Sequence, residues 1–254
     1  MSKLIAQKEY EIHFYEIDYS RKVLMTSIIN FLGDIAIKQS DDLGIGLEWL
    51  IQKNLAWVIY KWDIKMIRYP KMNEKITVRT WPYSLRKFYA YRQYDILDSE
   101  GNVVCTADSI WFLIDIIKRK PTKISDEMYE AYGIDKDSNQ TIDFGKIEAP
   151  QEIHESKYFN VRYSDIDTNR HVNNAKYIDW CIETVPIDVV LKYSLKNIKV
   201  IYEKETNYGE RIKASTEIFR EENKVTCLHK IEDTQGKRLT LVKSEWEQKT
   251  SLII

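Results

Sequence analysis

E-I-D-Y-S-R-K-V, from Glu16 to Val23, and D-I-D-T-N-R-H-V, from Asp165 to Val172, are one segment written twice, at an offset of 149 positions. Further along, I-K-M-I (Ile64 to Ile67) recurs as I-K-V-I (Ile198 to Ile201). D-S-E-G with a downstream S-I-W (Asp98 to Trp111) recurs as D-T-Q-G with S-E-W (Asp233 to Trp246). Three matches in the same order, with one change of offset, describe a duplicated unit whose first copy is about 15 residues longer between its opening segment and its strands. Two similar domains are expected, at 1–132 and 158–254. The stretch between them, 133–157, carries D-K-D-S-N-Q and A-P-Q-E without helical or strand periodicity and reads as a linker.

Each copy has the same grammar. A short extended segment leads into an apolar-periodic stretch: Leu24, Ile28, Phe31, Leu32 and Ile35 share one helical face in the first copy, and Ala175, Ile178, Ile182 and Val185 in the second. Runs rich in β-branched and aromatic residues follow. They span 57–67, 76–81, 89–97 and 103–114 in the first copy, and 198–202, 211–219, 225–231 and 239–246 in the second. Asp98 to Gly101 and Asp233 to Gly236 read as hairpin turns, where glycine accepts the positive φ. One helix and four or more antiparallel strands in two layers make an α+β fold in which a curved sheet wraps a long central helix, the hotdog architecture, here in tandem.

Composition narrows the function classes. The 254 residues are 44% hydrophobic and 30% charged, the profile of a folded protein. Lys plus Arg (38) balances Asp plus Glu (39), so no global field favours nucleic acid or an anionic membrane. Cys105, Cys181 and Cys227 form an odd, scattered set that fits neither a disulfide framework nor a zinc knuckle. The charged N-terminus lacks the apolar run of a signal peptide, and no stretch approaches the ~20 apolar residues of a membrane span. A cytoplasmic location is expected. No G-x-S-x-G elbow, phosphate loop or H-E-x-x-H helix occurs, and the four histidines are dispersed, so neither metal nor cofactor is implied.

The chemistry concentrates in Asp167-Thr168-Asn169-Arg170-His171-Val172-Asn173-Asn174, directly before the second helix. A carboxylate, an amide and an imidazole stand near a terminus whose unpaired N–H groups and positive dipole end suit an oxyanion. Asn173 or Asn174 would cap the helix. His171 can move a proton near neutral pH. Taken alone, Asp167 and Asn169 read equally well as turn residues, and His171 as a half-buried helix-entry residue. The duplication weighs against that reading, because the first copy has Asp18, Ser20 and Lys22 at the equivalent positions. The scaffold forms without Asn and His, so their presence in the second copy calls for another reason.

The run S-D-I-D-T-N-R-H-V-N-N-A-K-Y-I-D-W, Ser164 to Trp180, resembles the catalytic segment of the acyl-ACP thioesterases of plant plastids and bacteria. N-L-A-W-V (Asn54 to Val58), R-Y-P (Arg68 to Pro70), S-I-W and S-E-W extend the resemblance over nearly the whole chain. It implies tandem hotdog domains, with the acyl chain bound mainly by the first and catalysis in the second. It also implies hydrolysis of fatty acyl-ACP, with acyl carrier protein bearing an acyl-phosphopantetheine as partner. An acyl-CoA thioesterase and a noncatalytic acyl-thioester-binding module are the alternatives, and a homodimer is left open.

By the same resemblance Asp167, Asn169, His171 and Glu205 fall on the family's site positions. Asp167 is either an orienting carboxylate or a nucleophile forming a transient anhydride. The position after Glu205 often holds cysteine in the family and is Thr206 here, which weighs against a thiolate mechanism. Cys181 and Cys227 read as small buried hydrophobes. Met25, Ile28 and Trp57 are candidates to line the acyl site, although core packing would equally account for them. Lys118, Arg119 and Lys120, or Arg162 and Arg170, are candidates to meet an acidic carrier.

Overall fold

A computed structural model describes residues 4–138, 140–167 and 170–249. The chain divides into two compact units, one of Met1–Trp62 with Ile67–Asp143 and the other of Asp63–Met66 with Phe144–Ile254.

In the first unit β1 (Ala6–Glu11) precedes α1 (Met25–Asp42) and α2 (Leu47–Gln52), followed by β2 (Leu55–Met66, of which Asp63–Met66 counts with the second unit), β3 (Lys75–Arg86), β4 (Tyr89–Leu97), β5 (Val103–Asp115), the two-residue β6 (Lys120–Pro121) and α3 (Asp126–Ala131). The strand order is β1-β3-β4-β5-β2, with β6 on β5. α1 buries residues on more than one face, including Met25, Ile28, Ile29, Phe31, Leu32 and Ile35. A helix so enclosed is central rather than laid on a surface. Leu24, assigned to the helix by its spacing, is instead the N-cap and is exposed. On β3 buried Ile76, Val78 and Thr80 alternate with more exposed neighbours, as a sheet with one face on the core requires. The β4–β5 turn is closed by Gly101 N–H donating to Asp98 O, with Gly101 at φ +85°.

The second unit runs β7 (Glu155–Asn160), α4 (Asn174–Ile182), α5 (Ile187–Lys192), β8 (Tyr193–Tyr202), β9 (Arg211–Arg220), β10 (Lys224–Asp233) and β11 (Arg238–Gln248), ordered β8-β11-β10-β9-β7. Its helix is half as long as α1. Pro186 has no N–H and restricts the residue before it, while Thr184 Oγ1 donates to Cys181 O, so α4 stops and α5 begins anew. Val185, assigned to the helical face by spacing, lies in this break, buried.

The polar 133–157 stretch is partly tied to the second unit. β7 starts within it, Phe144 and Ile147 are buried, Lys199 Nζ donates to Phe144 O, and Gln151 N–H donates to the buried Glu217 carboxylate at 2.7 Å. Two apolar anchors are too few for periodicity to reveal. No helix among the described residues is long and apolar enough to cross a membrane.

The duplicated S-x-W motif has one structural meaning in both units. Trp111 Nε1 donates to Ser109 Oγ at 2.8 Å, and Trp246 Nε1 to Ser244 Oγ at 2.9 Å. A residue of the neighbouring strand meets each serine, Tyr94 at 3.3 Å in the first unit and His229 at 2.9 Å in the second. His229 also pairs with Thr216 Oγ1 at 2.7 Å, so both ring nitrogens are engaged inside the core.

Burial depresses the His229 imidazole from 6.5 to about 3. The folded chain keeps the ring neutral where the unfolded chain takes up a proton. Its contribution is therefore full above pH 6.5 and is lost as pH falls towards 3, with a slope of up to about 1.4 kcal/mol per pH unit. Thermal melts of His229→Gln between pH 7 and 4 are expected to show a shallower acid loss than the parent protein. Parallel curves would clear His229 as the cause.

Candidate active site

The segment before α4 is a tight turn built by its own backbone. Asp167 N–H donates to His171 O at 2.9 Å and Arg170 N–H to Asp167 O at 3.0 Å, with Arg170 at φ +67°. Ile166 bridges Val172, and Asn173 N–H reaches back to Asp165 O at 2.8 Å. Asn173 is the N-cap, its side chain accepting from Ala175 N–H at 2.9 Å. Burial alone would raise the Asp165 carboxyl, but side-chain and backbone bonds from Arg162 outweigh it and hold it below the usual carboxylate range.

The first unit repeats the backbone bonds of this turn, while its N-cap, Leu24, makes no side-chain cap bond. Asp18 N–H donates to Lys22 O, Arg21 N–H to Asp18 O with Arg21 at φ +62°, and Leu24 N–H to Glu16 O, while Ile17 bridges Val23. There the Asp18 carboxylate accepts from Ser20 N–H, Ser20 Oγ and Lys22 N–H, which makes it a turn-holding group. Identical backbone with different side chains separates what the fold needs from what the site adds.

A remote segment then docks on the turn. Val172 N–H donates to Thr206 O at 3.1 Å, as Val23 N–H does to Pro70 O at 3.0 Å in the first unit. This bond carries Glu205 to His171, whose Nε2 stands 3.2 Å from Glu205 Oε1. His171 is half-buried and Glu205 exposed. By the same register Lys22 and Tyr69 occupy these two places in the first unit. Asp167 lies half-buried in the turn, its N–H bonded to His171 O, and Asn169 lies outside the described residues. The structure thus brings His171, Glu205 and the Asp167 backbone together.

Met25 and Ile28 are buried in the first turns of α1, whereas Trp57 packs with a separate cluster that includes Leu50, Leu85 and Leu113. Trp57 Nε1 is buried without a hydrogen-bond partner among the described residues. An open hollow of about 460 Å³ in the first unit has a polar lining that includes Lys8, Tyr10, His13 and Asp34, with Lys8 and Asp34 paired at 2.7 Å. Such walls do not suit a fatty chain.

The sequence profile of the acyl-ACP thioesterase N-terminal domain matches residues 3–132, and that of the acyl-ACP thioesterase C-terminal domain matches 148–248. The chloroplastic palmitoyl-acyl carrier protein thioesterase of Arabidopsis thaliana is 25% identical over 267 residues, a match that takes in 97% of this chain and 65% of the relative. A Lactobacillus plantarum protein provisionally assigned as an oleoyl thioesterase superposes with a TM-score of 0.89 at 28% identity, over 98% of each chain. An acyl-ACP thioesterase from Bacteroides thetaiotaomicron shares the fold, with a TM-score of 0.84 at 22% identity over 96% of this chain and 98% of the other.

All three cysteines are free and buried. Burial pushes the Cys227 thiol up to about 12 and raises those of Cys105 and Cys181 as well. A thiol that stays protonated is a poor nucleophile. Iodoacetamide at pH 8 is expected to leave all three unmodified in the native protein and to alkylate all three after unfolding, as read by intact mass. Rapid native labelling of Cys181 or Cys227 would contradict this burial.

Proposed function

The chain belongs to the acyl-ACP thioesterase family, and from that premise we propose that it hydrolyses fatty acyl-ACP to free fatty acid and the carrier thiol. The observation that carries the reading is the 3.2 Å approach of His171 Nε2 to Glu205 Oε1 at the start of α4, in the unit whose duplicate has Lys and Tyr there. Glu205 favours a proton on Nε2, which leaves the Nδ1 lone pair to take a proton from water. The water oxygen adds to the thioester carbonyl carbon. Asn169 and a backbone N–H near the helix start hold the oxyanion, the C–S bond breaks, and the pantetheine thiolate leaves with the proton returned by His171.

Asp167 holds the turn, as the Asp18 carboxylate does in the first unit. In a single turnover in ¹⁸O water, label is then expected only in the product acid, and label in Asp167 would establish an anhydride instead. Met25, Ile28 and Trp57 contribute apolar surface on the acyl-binding side. Three free, buried cysteines accord with a reducing compartment such as the cytoplasm.

Asn169→Ala or His171→Ala is expected to lower kcat by roughly 100- to 1000-fold, the usual cost of removing an oxyanion donor or general base, with unchanged melting. Near-normal turnover of either variant would defeat the assignment. A chain-length panel presented on both carrier protein and CoA gives the carrier preference, and faster hydrolysis of the CoA esters would point to that alternative.

A further inference from the structure

Thr206 is fully buried, and each of its polar groups has a partner. Its N–H donates to Tyr177 Oη at 3.1 Å, its carbonyl accepts from Val172 N–H at 3.1 Å, and its hydroxyl donates to the Glu210 carboxylate. The first unit keeps only the carbonyl bond, between Val23 N–H and Pro70 O. Proline has no N–H to give. The residue at the place of Tyr177 is Ile28, fully buried and without an acceptor. Donor and acceptor are thus present together in one copy and absent together in the other, while the backbone bonds of the turn and the bridge are the same. The fold does not need the Thr206–Tyr177 bond.

What accompanies the bond is Glu205, the residue before Thr206, where the first unit has Tyr69 before Pro70. The side chain of Glu205 is about half exposed, and an exposed ion pair contributes only about 0–1 kcal/mol. That is too little to fix the carboxylate at the ring, so the backbone must set its position. We infer that Tyr177 is a positioning residue: by binding Thr206 N–H it fixes the peptide that carries Glu205 and so holds the Glu205 carboxylate at His171. This rests on the hydrolase reading of the same site.

Burial raises the Tyr177 phenol, the bond from Thr206 opposes this, and Glu205, Glu210 and Asp167 add to the rise. The phenol therefore stays neutral at working pH, with a lone pair for the amide. The threonine where the family often has cysteine acts as an anchor, its hydroxyl committed to Glu210. Because the Tyr177 ring packs on Trp180 and Tyr202 with centroids 5.6 and 5.8 Å away, Tyr177→Phe preserves the packing and deletes only the acceptor.

Tyr177→Phe is expected to lower kcat about tenfold or more with KM within about twofold, and to cause no further loss in a Glu205→Gln background. Unchanged kcat, or losses that multiply in the double variant, would overturn the inference. A second readout needs no turnover. Hydrogen exchange of the Thr206 amide, followed by NMR, is expected to speed up about tenfold or more in Tyr177→Phe while the β9–β10 ladder stays protected. Unchanged Thr206 exchange, or loss of protection throughout the second unit, would also overturn it. If the parent protein hydrolyses no acyl thioester, the functional reading fails and the exchange measurement still decides the role of Tyr177.

Discussion

The site depends on one backbone hydrogen bond, from Val172 N–H to Thr206 O. A buried peptide group left without a partner costs about 1–3 kcal/mol, so the turn before α4 and the loop after β8 have reason to meet there and little freedom to slide. Val172 follows His171 and Thr206 follows Glu205, so pairing the two peptides sets imidazole beside carboxylate as a by-product. The side-chain contact is the weaker partner in this arrangement. The first unit supports that order of cause, since Val23 and Pro70 make the same bond with no imidazole or carboxylate at the adjacent positions.

Much of the fold was legible because it is written twice. Strands β2 to β5 and β8 to β11 have one face on a core, and alternation reveals each of them, although it ends five residues early on β3 and begins five residues late on β8. β7 was not legible within the polar 133–157 stretch. It is a polar edge strand, exposed along nearly its whole length, and its pairing with β9 rests on backbone bonds that no side-chain pattern encodes. The break after α4 was signalled by Pro186, yet counting apolar residues at three- and four-residue spacing carried the helix through to Val185. Periodicity reports a buried face, and it does not report whether the backbone along that face is continuous.

Within the site, His171 was legible from residues and repeat together, because its counterpart is Lys22. Glu205 was not: in E-K-E it is one acid among charged neighbours, and only resemblance to the family singled it out. Its approach to His171 is a matter of tertiary pairing across more than thirty residues of chain. Tyr177 was hidden for the opposite reason. It sits on the helix face that also carries Ile178 and Cys181, where an aromatic reads as core packing, and its ring does pack there. Only its oxygen is unusual, and an oxygen's partner is invisible until the loop is folded onto the helix.

The two copies also show why such a polar pair changes as a unit. Replacing Tyr177 alone would strand the Thr206 N–H in the interior, whereas an isoleucine facing a proline leaves nothing unsatisfied. Both arrangements are therefore accessible to the same backbone, and the intermediates between them are the costly ones. The first unit, with buried Ile28 opposite Pro70, has no such pair at its helix entry. In the second, two hydrogen-bonding groups are retained in a buried position, a choice that hydrophobic stabilisation does not favour and that the position of Glu205 explains.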